Sequence, residues 1–133
     1  PMPSPPSRMH VEWLVPAGQA VRVADTIQSV MIVTRRQHGC LGCSLTSEAG
    51  DRVSLRYDET WEDEDHLKRQ LASERFTTLA SLLEVGTDPP SIEFILPTGV
   101  RGLDYAEEVR CAVQPRPRRG RTDSPKSSPR GNR

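Results

Sequence analysis

The chain has no run approaching the ~20 consecutive apolar residues that a membrane-spanning helix needs. It also lacks a basic N-terminal segment leading into an apolar run and a small-residue cleavage site. A cytoplasmic protein with no membrane partner is therefore expected. Cysteine is scarce: three residues in 133 are an odd number for a disulfide framework, and without a secretion signal they read as reduced thiols. Histidine is equally scarce. His10, His38 and His66 are the only imidazoles, so any imidazole acid–base chemistry must use one of them. Formal net charge is zero, but the zero conceals an asymmetry. Residues 1–113 carry 11 Lys/Arg against 17 Asp/Glu, whereas residues 114–133 carry 7 against 1. An acidic body repels phosphate backbones, so nucleic-acid binding is not expected of the core.

The length suits one domain. Pro1–Arg8 and Gln114–Arg133 are built largely from Pro, Arg, Ser and Gly, a composition that cannot bury a core, so both are expected to be disordered, with the domain spanning 9–113. Met9 opens the ordered region and is a candidate start residue.

Within that domain two periodicities alternate. Met9–Val15 reads as a strand, closed by a turn at Pro16-Ala17-Gly18. Ala20, Val23, Ala24, Ile27, Val30, Met31 and Thr34 form one helical stripe, with Gly39 as the C-terminal capping glycine. Cys40–Ser47 and Arg52–Trp61 flank a turn and predict a hairpin. Its second strand places Val53, Leu55, Tyr57, Glu59 and Trp61 on one face. Asp63-Glu64-Asp65 suits a helix start, and Leu67, Leu71, Phe76, Leu79 and Leu83 continue a stripe broken near Ser73. Ser91–Leu96 is a last strand, and Thr98–Arg110 is left open between an extension and an arm.

Strand, helix, strand, strand, helix, strand is the order of an α+β, ferredoxin-like split βαβ domain with a four-stranded antiparallel sheet. Helices would cover one face of that sheet. An apolar face left bare would be hidden by a second copy, which predicts a homodimer through sheet faces.

Gly39-Cys40-Leu41-Gly42-Cys43, Tyr57-Asp58-Glu59-Thr60-Trp61-Glu62-Asp63-Glu64, Leu67 and Leu71-Ala72-Ser73-Glu74-Arg75-Phe76 resemble the antibiotic-biosynthesis monooxygenase family over roughly residues 9–97. Pro16-Ala17-Gly18 resembles its first turn. The resemblance implies a dimeric α/β barrel whose subunits pack sheet against sheet, with a cavity between sheet and helices. It also implies one of several chemistries: cofactor-free oxidation of quinols or phenols by molecular oxygen, haem breakdown, or processing of a phosphorylated sugar. Trp61 matches a tryptophan that the family places at the end of the third strand. Gln70 stands where members often carry histidine, and Ala80 where haem-degrading members carry theirs. Haem therefore lacks an axial partner on that helix, and no cofactor is expected.

Glu59 is the candidate base, because a carboxylate beneath the helices is desolvated and gains affinity for a proton. A solvated strand-end carboxylate is the competing reading. His66 is the second catalytic candidate, against a solvated helical position. Trp61, Tyr57, Gln70 and His10 are candidate contacts to a small aromatic or apolar ligand. For the two aromatics, plain packing is the alternative, and for His10 the sequence leaves open which face of the first strand meets the cavity. His38 reads as a helix-end residue. Cys40 and Cys43, three apart in a strand, are expected on opposite faces, and Glu62–Asp65 reads as a helix start, so no metal site is expected. The leading expectation is a cofactor-independent monooxygenase acting on an electron-rich aromatic. Its rivals are a non-catalytic dimeric module binding a small ligand, and an isomerase or lyase acting on a small carbonyl compound.

Overall fold

The alternation along the hairpin's second strand governs the architecture. The computed structural model describes residues 4–86 and 88–113. The order is β1 (Ser7–Pro16), α1 (Ala17–Thr34), β2 (Cys40–Glu48), β3 (Arg52–Trp61), α2 (Glu64–Leu71), α3 (Glu74–Leu83), β4 (Ser91–Leu96), β5 (Gly99–Arg101) and α4 (Leu103–Val113). The sheet is antiparallel, in the order β2-β3-β1-β4-β5. Its first four strands follow the ferredoxin-like pattern, and β5 adds a short fifth strand.

Register places Met9, Val11, Trp13 and Val15 of β1 beside Glu59, Tyr57, Leu55 and Val53 of β3. Phe94 and Ile92 of β4 continue that face. Ile27 and Met31 of α1, Leu67 and Leu71 of α2, and Phe76 and Leu79 of α3 close over it, all buried. This answers the question left open for β1: its odd-numbered residues face the helices, and His10 faces away.

Several local expectations shift for identifiable reasons. β1 begins at Ser7, so the end of the Pro1–Arg8 segment expected to be disordered is strand. No turn separates β1 from α1: Pro16 itself caps the helix, with φ −59°, an angle its ring enforces, and proline is tolerated at a helix start because its missing N–H would have no partner there. Gly39 takes φ +88°, but α1 ends earlier, at Thr34, with Arg35 as its cap. The ambiguous 98–110 stretch becomes β5 and α4. Tyr105, Ala106 and Val109 of α4 are buried, while Arg110 donates to the Leu71 carbonyl oxygen at 2.7 Å and to Thr77 Oγ1 at 2.9 Å. One guanidinium thus serves the break between α2 and α3, where helix carbonyls lose their own partners. The basic segment 114–133 lies outside the described residues.

The face turned away from the helices corrects the premise for dimerisation. From β1 it presents Arg8, His10, Glu12 and Leu14, from β3 Ser54, Arg56, Asp58 and Thr60, and from β4 Glu93 and Ile95. Only Leu14 and Ile95 among these are apolar. His10 is the hub, with Nδ1 at 2.6 Å from Asp58 and Nε2 at 2.7 Å from Glu12. Those hydrogen bonds, Glu12 first, raise its pKa above the ordinary 6.5.

Candidate functional site

Glu59 lies on the helix-covered face, two residues before the end of β3, and is 1% exposed. Burying a carboxylate is costly unless its oxygens are satisfied, and here each has partners. Trp61 Nε1 donates to Oε1 at 2.9 Å, and Tyr57 Oη donates to Oε2 at 2.6 Å. Both come from the same strand two residues away, which the period-two alternation makes possible. Gln70 on α2 supplies the third donor, Nε2 to Oε2 at 3.2 Å, and also reaches Thr34 Oγ1 at the end of α1 at 3.1 Å. Arg75 of α3 donates to Gln70 Oε1 at 2.8 Å, fixing the amide so that its NH2 points inward. The network therefore joins β3, α1, α2 and α3 around one carboxylate.

Burial raises the Glu59 pKa above 4.5, and the hydrogen bonds from Tyr57, Trp61 and Gln70 oppose that rise. The Tyr57 hydroxyl is pushed well above its ordinary 10, first by burial and then by the neighbouring carboxylate. A phenol so disposed stays protonated. The arrangement is a water-poor carboxylate with a heightened affinity for a proton, held in place by donors that remain donors.

Tyr57, Glu59, Trp61 and Gln70 are thus brought together. The cavity expected between sheet and helices is instead filled by these side chains, each at most 1% exposed. Concave space lies elsewhere. An apolar groove of about 560 Å³ is lined by Ala80, Leu83, Gly86, Pro89, Pro90 and Leu103, among others, and a cleft of about 390 Å³ lies between α1 and β2 at Met31, Arg35 and Leu45. Neither touches Glu59.

The other sequence candidates fall apart from this cluster. His10 is on the opposite sheet face. His66 sits at the start of α2, its Nδ1 2.7 Å from Asp63 Oδ1 and its ring 5.2 Å from that of His38. His38, read as a helix-end residue, lies in the turn after α1 and joins His66 and Glu62 in a compact trio. Thr34 and Arg75 are the members of the Glu59 network that sequence reasoning missed. A polar Thr34 closing an otherwise apolar stripe was the available signal.

Cys40 and Cys43 require a correction. A bulge between Cys40 and Gly42 advances the register of β2, so Cys40 pairs with Trp61 and Cys43 with Glu59. The inserted residue, Leu41, points to solvent at 59% exposure. Both thiols therefore lie on the helix-covered face, which three-residue spacing in a regular strand forbids and a bulge permits. Burial raises the pKa of each, so neither has the lowered pKa of an activated thiolate.

The antibiotic biosynthesis monooxygenase pattern matches residues 6–81, more than half of the chain. The chain belongs to that family. No curated protein matches it. Among solved structures, a conserved protein from Methanosarcina mazei aligns with a TM-score of 0.60 at 19% identity, covering 68% of this chain and 91% of that one. A Mycobacterium tuberculosis protein aligns at 0.58 and 18%, covering 70% and 95%. A Deinococcus radiodurans protein named after the same family aligns at 0.57 and 18%, covering 66% and 88%. At such identities these structures establish the fold of this member and leave its substrate open. Among the described residues, no helix is long and apolar enough to cross a membrane.

Proposed function

We propose that this member of the family oxidises an electron-rich aromatic, a quinol or phenol, with molecular oxygen and without a cofactor. The observation that supports the reading is the buried Glu59 carboxylate with its raised pKa. A desolvated base of this kind removes a phenol proton, and the resulting phenolate can pass an electron to oxygen in a site that excludes water. Trp61 and Tyr57 supply aromatic surface on either side of the base in sequence. Gln70 stands between Glu59 and the half-buried Arg75, so displacement of Gln70 is the proposed way in. Oxygen uptake driven by a panel of hydroquinones and polycyclic phenols is the test, and turnover with at least one of them is the expected outcome.

A second reading, a non-catalytic module that binds a small apolar ligand, is favoured by a different observation. The groove at Ala80, Leu83 and Leu103 is of ligand size. The Trp13 indole N–H, which has no partner among the described residues, belongs to a ring whose Cδ1 lies 3.3 Å from where a Cβ on Gly86 would stand. That N–H is buried beside the groove's Gly86 rather than open to it.

Both readings carry the family's sheet-to-sheet dimer as a proposal. Here the pairing surface would be the polar face around His10, so association is expected to weaken with salt, as exposed ion pairs do. Sedimentation at micromolar concentration is expected to give about twice 14.8 kDa in low salt and less at high ionic strength. A monomer in low salt would contradict the proposal.

A further inference from the structure

The trio beside the start of α2 has no part in the Glu59 network, and its donor set is chemically specific. His38, Glu62 and His66 each offer one ligand atom, and the three atoms lie within 4.8 Å of one another. The chain holds these residues together by backbone means. The Glu62 N–H donates to the Gly39 carbonyl oxygen at 2.8 Å, which pins the end of β3 against the residue next to His38. Gly39, at φ +88°, lets the chain pass so close to the His66 ring that no Cβ would fit. Asp63 then orients that ring. Its Oδ1 accepts from the His66 backbone N–H at 3.0 Å and also contacts Nδ1 at 2.7 Å. A carboxylate behind an imidazole is the usual second layer of a metal site, fixing the ring and raising its basicity.

We infer that His38, Glu62 and His66 bind one divalent transition cation of the zinc class. Two imidazoles and a carboxylate are the donor set of open, three-ligand zinc sites and of non-haem iron sites. Magnesium and calcium prefer oxygen donors and fit it poorly. At bond lengths of ~2.0–2.1 Å, tetrahedral ligand atoms stand roughly 3.3 Å apart. Closing the present spacing by about 1.5 Å falls within the side-chain rotations open to His38 and Glu62, both of which are exposed. Three protein ligands leave a fourth position for water or a bound anion. The site is separate from the cofactor-free reading of Glu59 and stands or falls independently of it.

The test uses the full chain and zinc alone, in competition with a chromophoric chelator, with cobalt absorption as a second readout of tetrahedral binding. One equivalent is expected to be held. Affinity is expected to fall at least tenfold in His38→Ala and in His66→Ala, and to be unchanged in His10→Ala and in the Cys40→Ser/Cys43→Ser double variant. His38 is exposed, so circular dichroism of His38→Ala is expected to match the wild type, which keeps the result readable if His66→Ala misfolds. Absence of a retained equivalent, undiminished binding in His38→Ala, or loss confined to the cysteine variant would overturn the assignment.

Discussion

Glu59→Ala is expected to lower the unfolding free energy by about 3–5 kcal/mol, a large fraction of the ~5–15 kcal/mol of a small domain. The change removes the shared acceptor of the Trp61 indole, the Tyr57 hydroxyl and the Gln70 amide. It also leaves buried donors in a void, each donor costing roughly 1–3 kcal/mol when unpaired. Glu59→Gln is milder, because it fills the space and keeps one acceptor oxygen. Its pH dependence carries the sign of the shift. The folded-state pKa of Glu59 lies above the 4.5 of the free side chain, so between those two values the folded state holds a proton that the unfolded state releases. The contribution to stability is complete below about 4.5 and is lost as pH rises through the folded pKa. Wild-type stability therefore falls across that window relative to Glu59→Gln, and the deficit of the Gln variant narrows. Urea denaturation of both proteins at a series of pH values measures it. A constant difference would mean that Glu59 titrates alike in both states.

Gly39→Ala is expected to cost about 2–5 kcal/mol, the sum of a left-handed backbone penalty and overpacking. The added methyl would overlap the His66 ring and stand 2.9 Å from His66 Cβ. That ring cannot simply swing aside, since its side chain is only 12% exposed and is held by Asp63. The melting temperature reads the loss. An unchanged midpoint would show that the turn from Arg35 to Gly39 relaxes without difficulty.

The strand alternation from Val53 to Trp61 was legible because its buried and exposed sets differ in chemistry, and that alternation alone places Glu59, Tyr57 and Trp61 on one face. The stripe through α2 and α3 was legible for the same reason, down to the break near Ser73. Three features were not. The bulge at Leu41 depends on pairing with β3, and no local residue type announces it, so three-residue spacing alone puts the cysteines on opposite faces. The His38–Glu62–His66 trio is assembled where the Glu62–Gly39 backbone hydrogen bond extends the β2–β3 pairing and Gly39 passes close to the His66 ring, which periodicity cannot reveal. The filled space around Glu59 reflects how far Trp61 and Tyr57 reach, a matter of packing volume that alternation does not encode. The polarity of the open face was written plainly in Arg8, His10, Glu12, Arg56 and Asp58. It was obscured by the expectation of a sheet-to-sheet dimer, which presupposes an apolar open face, although antiparallel sheets commonly turn a polar face to solvent.

The central claim is that Glu59 acts as the base in an oxygen-dependent reaction, and a comparison of oxygen uptake tests it most directly. Wild type and Glu59→Gln are supplied with the same panel of hydroquinones and polycyclic phenols, in the presence of a metal chelator that silences any cation at His38 and His66. The account predicts substrate-dependent uptake by the wild type and a fall of about 10²–10⁴-fold in the Gln variant, the range typical of losing a positioned base, while the variant remains folded. Equal uptake by the two proteins, or none by the wild type with any compound of the panel, would contradict it.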